Sequence, residues 1–265
     1  MPFFHLKVFM SKDYKTEYAN DFILLNERYV GVEDYIKGMV KGGMIRSLIV
    51  NGPPGVGKTH SVKAYLETHL GSENYKLMNG HCTLLSLYAK LYDFRDSGKV
   101  VVLDDVDSVF SKTDGLNILK AAMDTTNQRV IHWESPTHLL TTMEVPKNFE
   151  YNGSVILISN IGFGGGNNKL TAHLNALKDR SYYSHIGDAN VESSFKQICY
   201  MVIEKNIFTT LGVPQEHHMM LLEYIDENKK RFTTLSLRTV VKLSTIFTMN
   251  SKDWKRMANQ GLLKV

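Results

Sequence analysis

Between Gly52 and Thr59 the chain reads GPPGVGKT, directly after the apolar run Leu48–Val50. Glycines at this spacing let successive backbone N–H groups turn inward around phosphate oxygens. A lysine then reaches the terminal phosphates, and a threonine hydroxyl is placed to ligate magnesium. The residues Pro54, Gly55, Val56, Gly57, Lys58, Thr59 and His60 are therefore the candidate phosphate-binding set. A second chemical signal follows in VVVLDD, residues 100–105, an apolar run ending in two carboxylates. Asp104 at such a tip can hold the metal beside Thr59, and Asp105 can polarise an attacking water.

These groups need elements that bring them together. Short β-prone runs recur at RSLIVNG, NYKLMNG, KVVVLDD and SVILISN, and two of them contain continuously apolar cores, VVVL and VILI. Such runs predict strands buried on both faces of a parallel sheet. Helical spacing in KTHSVKAYLETHL, TLLSLYAKLYDF and GLNILKAAMDTT fills the intervals, which predicts an α/β fold with helices on both faces. After about residue 190 only helical patterns remain, in VESSFKQICYMVIEKNIFTTLG, PQEHHMMLLEYIDENKK, SLRTVVKLSTIFTMN and SKDWKRMANQGLL. The expected organisation is an extension over 1–27, a nucleotide-binding αβα domain over 28–189, and a small all-α domain over 190–265. Within the second, residues 128–153 interrupt the alternation; RVIHWE and LLTTMEV, divided by SPT, predict an inserted β-hairpin.

GPPGVGKT, VVLDDVDSVF and VILISN, in this order, resemble the AAA+ ATPases, and the helical C-terminal part resembles their lid domain. More narrowly, LYDFRDSGKVVVLDDVDSVF and HLNALKDRSYY look like small AAA+ proteins encoded by phages and plasmids. The resemblance implies ATP and Mg²⁺ as ligands. It implies that Arg28–Val32 passes over the adenine, with Val30 and Gly31 as contacts, and that Asn160 is the polar sensor that orients the water. It further implies that Arg180 is a finger reaching a neighbouring subunit's γ-phosphate, and that Arg238 senses the nucleotide in cis. An arginine acting in trans requires a homo-oligomer, with a hexamer expected. The family's strand tip usually reads Asp-Glu, whereas this chain has Asp104-Asp105, one methylene shorter; Asp107 is a minor candidate base.

Two segments are candidates for touching a substrate. In Met78-Asn79-Gly80-His81, Asn79 and His81 occupy the position of a pore loop, but the aromatic of the protein-threading version is missing. In the inserted hairpin, Arg129 and Trp133 combine charge with stacking, the pairing that grips single-stranded nucleic acid; the alternative reading has Trp133 packed on the domain. The leading expectation is an ATPase that remodels or loads onto nucleic acid or a nucleoprotein complex. The alternatives are an ATP-dependent protein remodeller and a nucleotide-gated assembly switch with slow turnover. Composition constrains the setting more than the substrate. Hydrophobic residues make up 43% and the formal net charge is +4, which permits nucleic-acid contact without arguing for it. No run reaches the roughly 18 apolar residues of a membrane span. Cys82 and Cys199 show no paired spacing, and neither HExxH nor GxSxG occurs. A cytoplasmic setting, the host's for a viral protein, is expected.

Overall fold

The computed structural model describes residues 12–41, 43–106, 109, 113–126, 128–134, 138–161 and 169–264, the side chains of 169–171 excepted. Residues Glu27–Ile186 form one compact unit. Its centre is a parallel sheet of five strands, β1 Ser47–Asn51, β2 Tyr75–Asn79, β3 Val100–Asp104, β6 Ser154–Ser159 and β7 Tyr182–His185, in the order β2-β3-β6-β1-β7. Every residue of β1, β3 and β6 is buried, as their unbroken apolar runs require. Register fixes what matters for chemistry. Asn79 pairs with Asp104, Asp104 with Ile158, and Asn51 with both Ser159 and His185, so the carboxyl ends of all five strands finish level.

Helices Lys58–His69, Leu84–Asp93, Thr113–Ala122 and Lys169–Asp179 lie between the strands in sequence. The helix Leu84–Asp93 buries Leu87, Tyr88, Ala89 and Leu91 and is capped by the Thr83 hydroxyl, which accepts from the Ser86 N–H. Strand β7 follows from no run singled out in the sequence, because SYYSH is polar and edge strands carry only one neighbour.

The insertion differs in detail from the predicted hairpin. Its strands are β4 Val130–His132 and β5 Asn148–Glu150, paired antiparallel in a sheet of their own. LLTT belongs to a short helix, His138–Thr142, instead of a strand. The reason is burial: Ile131, Leu140, Val145 and Phe149 all turn into the core, and Phe149 meets the rings of Tyr88 and Tyr92 at 5.1 and 5.3 Å. The insertion is thus seated on the domain by its apolar residues.

A second compact unit comprises Gly187–Val265 with Met1–Asn26, of which the described residues begin at Lys12. Its helices are Val191–Ile203, Ile207–Thr210, His218–Asn228, Leu237–Met249 and Trp254–Leu262. The segment expected as a mere extension is integral to it. Tyr14 packs edge-on against Phe195, its hydroxyl donates to Asp226 at 3.0 Å, and Lys196 pairs with Asp21 at 2.9 Å. Burial pushes the Asp226 carboxyl up, but bonds from Lys12, Lys229 and Tyr14 outweigh it and hold the group below the usual carboxylate range.

Candidate active site

The GPPGVGKT segment runs from the tip of β1 into the helix Lys58–His69. Gly52 has φ +151°, and a Cβ built there would lie 2.1 Å from the Ile186 carbonyl oxygen, so no larger residue fits without moving backbone. Gly57 caps the helix in the left-handed conformation, φ 88°, and offers no side chain. The first N–H groups of a helix have no acceptor within it and carry the positive end of its dipole. With the glycine-rich turn around them, they form a cradle for an anion. Val56 and Lys58 are buried, Gly55, Gly57 and Thr59 are half-buried, and Pro54 and His60 are exposed.

The strand tips meet this cradle. Thr59 Oγ1 donates to Asp104 Oδ2 at 2.8 Å, joining the helix start to the end of β3. Lys58 Nζ donates to the Gly52 and Pro53 carbonyls at 2.8 and 2.9 Å and to Asn160 Oδ1 at 2.7 Å. The amide of Asn160 donates in turn to Asp105 Oδ1 at 2.7 Å. Lysine, asparagine and aspartate thus form one chain of charge-assisted bonds across the mouth of the site. Asp105 itself sits at φ 50°, with its N–H donating to the Ile158 carbonyl at 3.1 Å. Left-handed backbone favours Asp over longer side chains because its short carboxylate bonds locally, which accounts for aspartate at this tip.

Other expected residues stand elsewhere. Val30 and Gly31 lie within the helix Ala19–Val40, Val30 exposed and Gly31 with open space around its Cα. Arg180 stands at the opposite end of the strands: its carbonyl accepts from Ser47 Oγ, at the start of β1, at 3.0 Å. The four intervals of β1 span about 13 Å, more than an arginine side chain covers, so Arg180 does not reach its own Lys58. Its guanidinium donates to the Ala176 carbonyl at 2.9 Å. Arg238 is exposed near the start of Leu237–Met249 in the second unit. Asn79 and His81 are exposed at and after the end of β2. Asp107 lies outside the described residues.

Arg129 is corrected by its burial. It is 5% exposed, donates to the carbonyls of Ala122 and Gly153 at 2.6 and 3.0 Å, and lies 5.2 Å from the centre of the Tyr151 ring. Burial pulls its guanidinium down to about 10. A group so enclosed, with its donors taken by two backbone carbonyls, braces the insertion. Trp133 follows the packed reading: it is half-buried against the core, with its ring 5.3 Å from that of Tyr88.

Two residues with structural leverage escaped the sequence reading. Asn51 is 4% exposed; its amide donates to the carbonyls of Ser159 and Ile161 at 3.1 and 2.7 Å, the two residues flanking Asn160. Its Oδ1 accepts from the Tyr183 hydroxyl at 3.2 Å and lies 3.2 Å from His185 Nδ1. Asn51 therefore fixes the backbone on both sides of Asn160 and ties it to β7. The available signal was a polar residue closing an otherwise apolar strand. Tyr29, on the helix Ala19–Val40, donates to the Val56 carbonyl at 2.7 Å and anchors the glycine-rich loop from outside.

Residues 48–161 match the family model described as ATPase family associated with various cellular activities, AAA. An uncharacterised 36.7 kDa protein from the nrdC–mobD intergenic region of Enterobacteria phage T4 is 29% identical over 252 residues, covering 93% of this chain and 77% of that protein. Among solved structures, a point mutant of RuvB from Thermotoga maritima shares 12% identity at a TM-score of 0.51, covering 90% of this chain and 70% of that one. A second RuvB point mutant shares 13% at 0.51, covering 91% and 69%. At such identities the likeness is one of fold. The matched segment runs from β1 through Asp104 to Asn160 and contains the whole Lys58–Asn160–Asp105 chain, so the site lies within the part of the protein that is similar to the AAA ATPase family.

Proposed function

We propose that the chain binds and hydrolyses ATP with Mg²⁺, and that it does so as a homo-oligomer acting on nucleic acid or a nucleoprotein complex. The observation that carries the reading is the convergence of Lys58, Thr59, Asp104, Asp105 and Asn160 at one end of the sheet. A hydroxyl and a carboxylate oxygen 2.8 Å apart, beside a lysine, form the oxygen-rich pair a hard divalent cation takes. Thr59 and Asp104 would hold Mg²⁺, which when bound neutralises charge on phosphate oxygens. Lys58 offers a positive charge to the terminal phosphates and in doing so exchanges its bond to Asn160. Asn160, released from Lys58, can then orient a water, and Asp105, beside it, can accept that water's proton. In this reading Val30 and Gly31 border the adenine, and Arg238 reports the nucleotide in cis.

Arg180 enters from the neighbouring subunit. Its distance from its own Lys58 supports a trans role, since the same arginine can serve only a site presented to it by another copy. Such fingers contribute about 10³ to 10⁵ in rate in related nucleotide hydrolases. We take a hexameric ring as the working assembly, in a cytoplasm; among the described residues no helix is long and apolar enough to cross a membrane. The nucleic-acid substrate is supported by fold alone: RuvB, whose point mutants share this fold at a TM-score of 0.51, is a Holliday junction branch migration motor. The test is ATP turnover with single-stranded DNA, double-stranded DNA, RNA and an unfolded protein added separately. Stimulation by a nucleic acid supports the reading; stimulation by protein alone replaces it with a protein remodeller acting through exposed Asn79 and His81.

A nucleotide-gated switch with slow turnover is the second reading, favoured by one observation. Asp105 is held by Asn160 at 2.7 Å and is one methylene shorter than the family's glutamate. Turnover that rises in Asp105→Glu selects the switch.

A further inference from the structure

The positive charge of this chain is concentrated at one end. Residues 229–264 hold nine lysines and arginines against one acid, Asp253, a net of +8; the chain as a whole is +4, so the remaining residues sum to −4. Exposure sharpens the asymmetry. Of the 19 exposed residues from Lys230 to Lys264, eight are basic and none is acidic. Asp253 is half-buried and engaged by Arg256 at 2.6 Å.

We propose that this surface, carried by the helices Leu237–Met249 and Trp254–Leu262 and the segment before them, binds the phosphate backbone of nucleic acid. The principal groups are Lys230, Arg231, Lys242, Lys252, Lys255 and Lys264. Arg231 and Lys264 are brought together by the bridge between Phe232 and Leu263, with the Lys264 N–H donating to the Arg231 carbonyl at 2.7 Å. Phe247 and Trp254 pack edge-on at 6.0 Å across the turn that carries Lys252, with Lys255 just beyond it. None of the remaining 11 exposed positions is an aromatic or charged residue of the kind that anchors a protein hot spot, and eight of them are Thr, Ser, Asn or Gln. Those are the side chains that, with Lys and Arg, bond phosphate and sugar oxygens. Only Val241 and Met249 are exposed apolar residues here, too few for the apolar face of a helix lying in a lipid surface. Sequence-independent backbone binding is the chemistry left.

This inference rests on the nucleic-acid part of the proposed function but not on hydrolysis, and its test needs no nucleotide. The experiment measures binding of the full chain to fluorescently labelled single- and double-stranded DNA of 30 nucleotides or base pairs, without ATP, across a salt series. Each phosphate contact steepens the log–log salt slope by about 0.9 on duplex and about 0.7 on single strands. Lys242→Gln/Lys252→Gln/Lys255→Gln is expected to flatten the duplex slope by about 2 to 3 and to weaken binding at low salt by roughly tenfold or more. Its basal ATP turnover should match wild type, which also reports that the fold is intact. An unchanged slope and affinity in the triple variant overturns the proposal. So does tighter capture by phosphatidylserine vesicles or by an acidic protein than by DNA. Should ATP turnover be absent while DNA binding follows the expected slope, the hydrolysis reading fails and this one stands.

Discussion

Arg129→Met separates a structural arginine from a substrate-gripping one. Methionine keeps an apolar stem of similar reach and deletes the donors, leaving the Ala122 and Gly153 carbonyls without them. A hydrogen bond to a charged group contributes about 1.5 to 3 kcal/mol net, so two give roughly 3 to 6. The lower end applies, because burial opposes the charged form strongly enough to pull the guanidinium down to about 10. The expected loss is therefore about 3 kcal/mol, or a fall in Tm of roughly 6 to 12 °C for a chain of this size. Thermal and urea unfolding measure it, alongside DNA affinity at a temperature where the variant is folded. Wild-type stability with lost DNA affinity would refute the reasoning and return Arg129 to the substrate.

Asn51→Ala removes the donor to both carbonyls flanking Asn160. It should cost roughly 2 to 4 kcal/mol and lower kcat more than it raises the KM for ATP; an equal change in both would mark it as merely structural. Asp105→Asn should leave ATP binding intact and reduce turnover by about 10² to 10⁴, checked by calorimetry and phosphate release. Mixing Arg180→Ala with Lys58→Ala subunits should restore part of the activity that each lacks alone, and no rescue at any ratio would contradict a shared site.

The nucleotide end of the fold was legible because its constraints are local. GPPGVGKT demands a turn and a helix start whatever surrounds it, and VVVL and VILI can only be strands buried on both faces. Level strand tips then follow from parallel pairing, and Asp104 and Asn160 arrive beside Thr59 and Lys58. What was not legible depended on partners distant in sequence. Arg129 looked like an exposed cation because its acceptors, Ala122 and Gly153, come together only when the insertion folds onto the core. LLTT has strand propensity, yet Leu140 is buried from a helical turn. Asn51 draws its importance from Ser159 and Ile161, more than a hundred positions away. The basic C-terminal surface was hidden by averaging, since a net +4 conceals +8 and −4.

The central claim is that Lys58 serves nucleotide phosphate. ATP binding and steady-state turnover, with and without Mg²⁺, measured on wild type and Lys58→Ala test it most directly. The account predicts Mg²⁺-dependent hydrolysis by wild type and loss of binding or turnover in the variant. Unchanged activity in Lys58→Ala would contradict it.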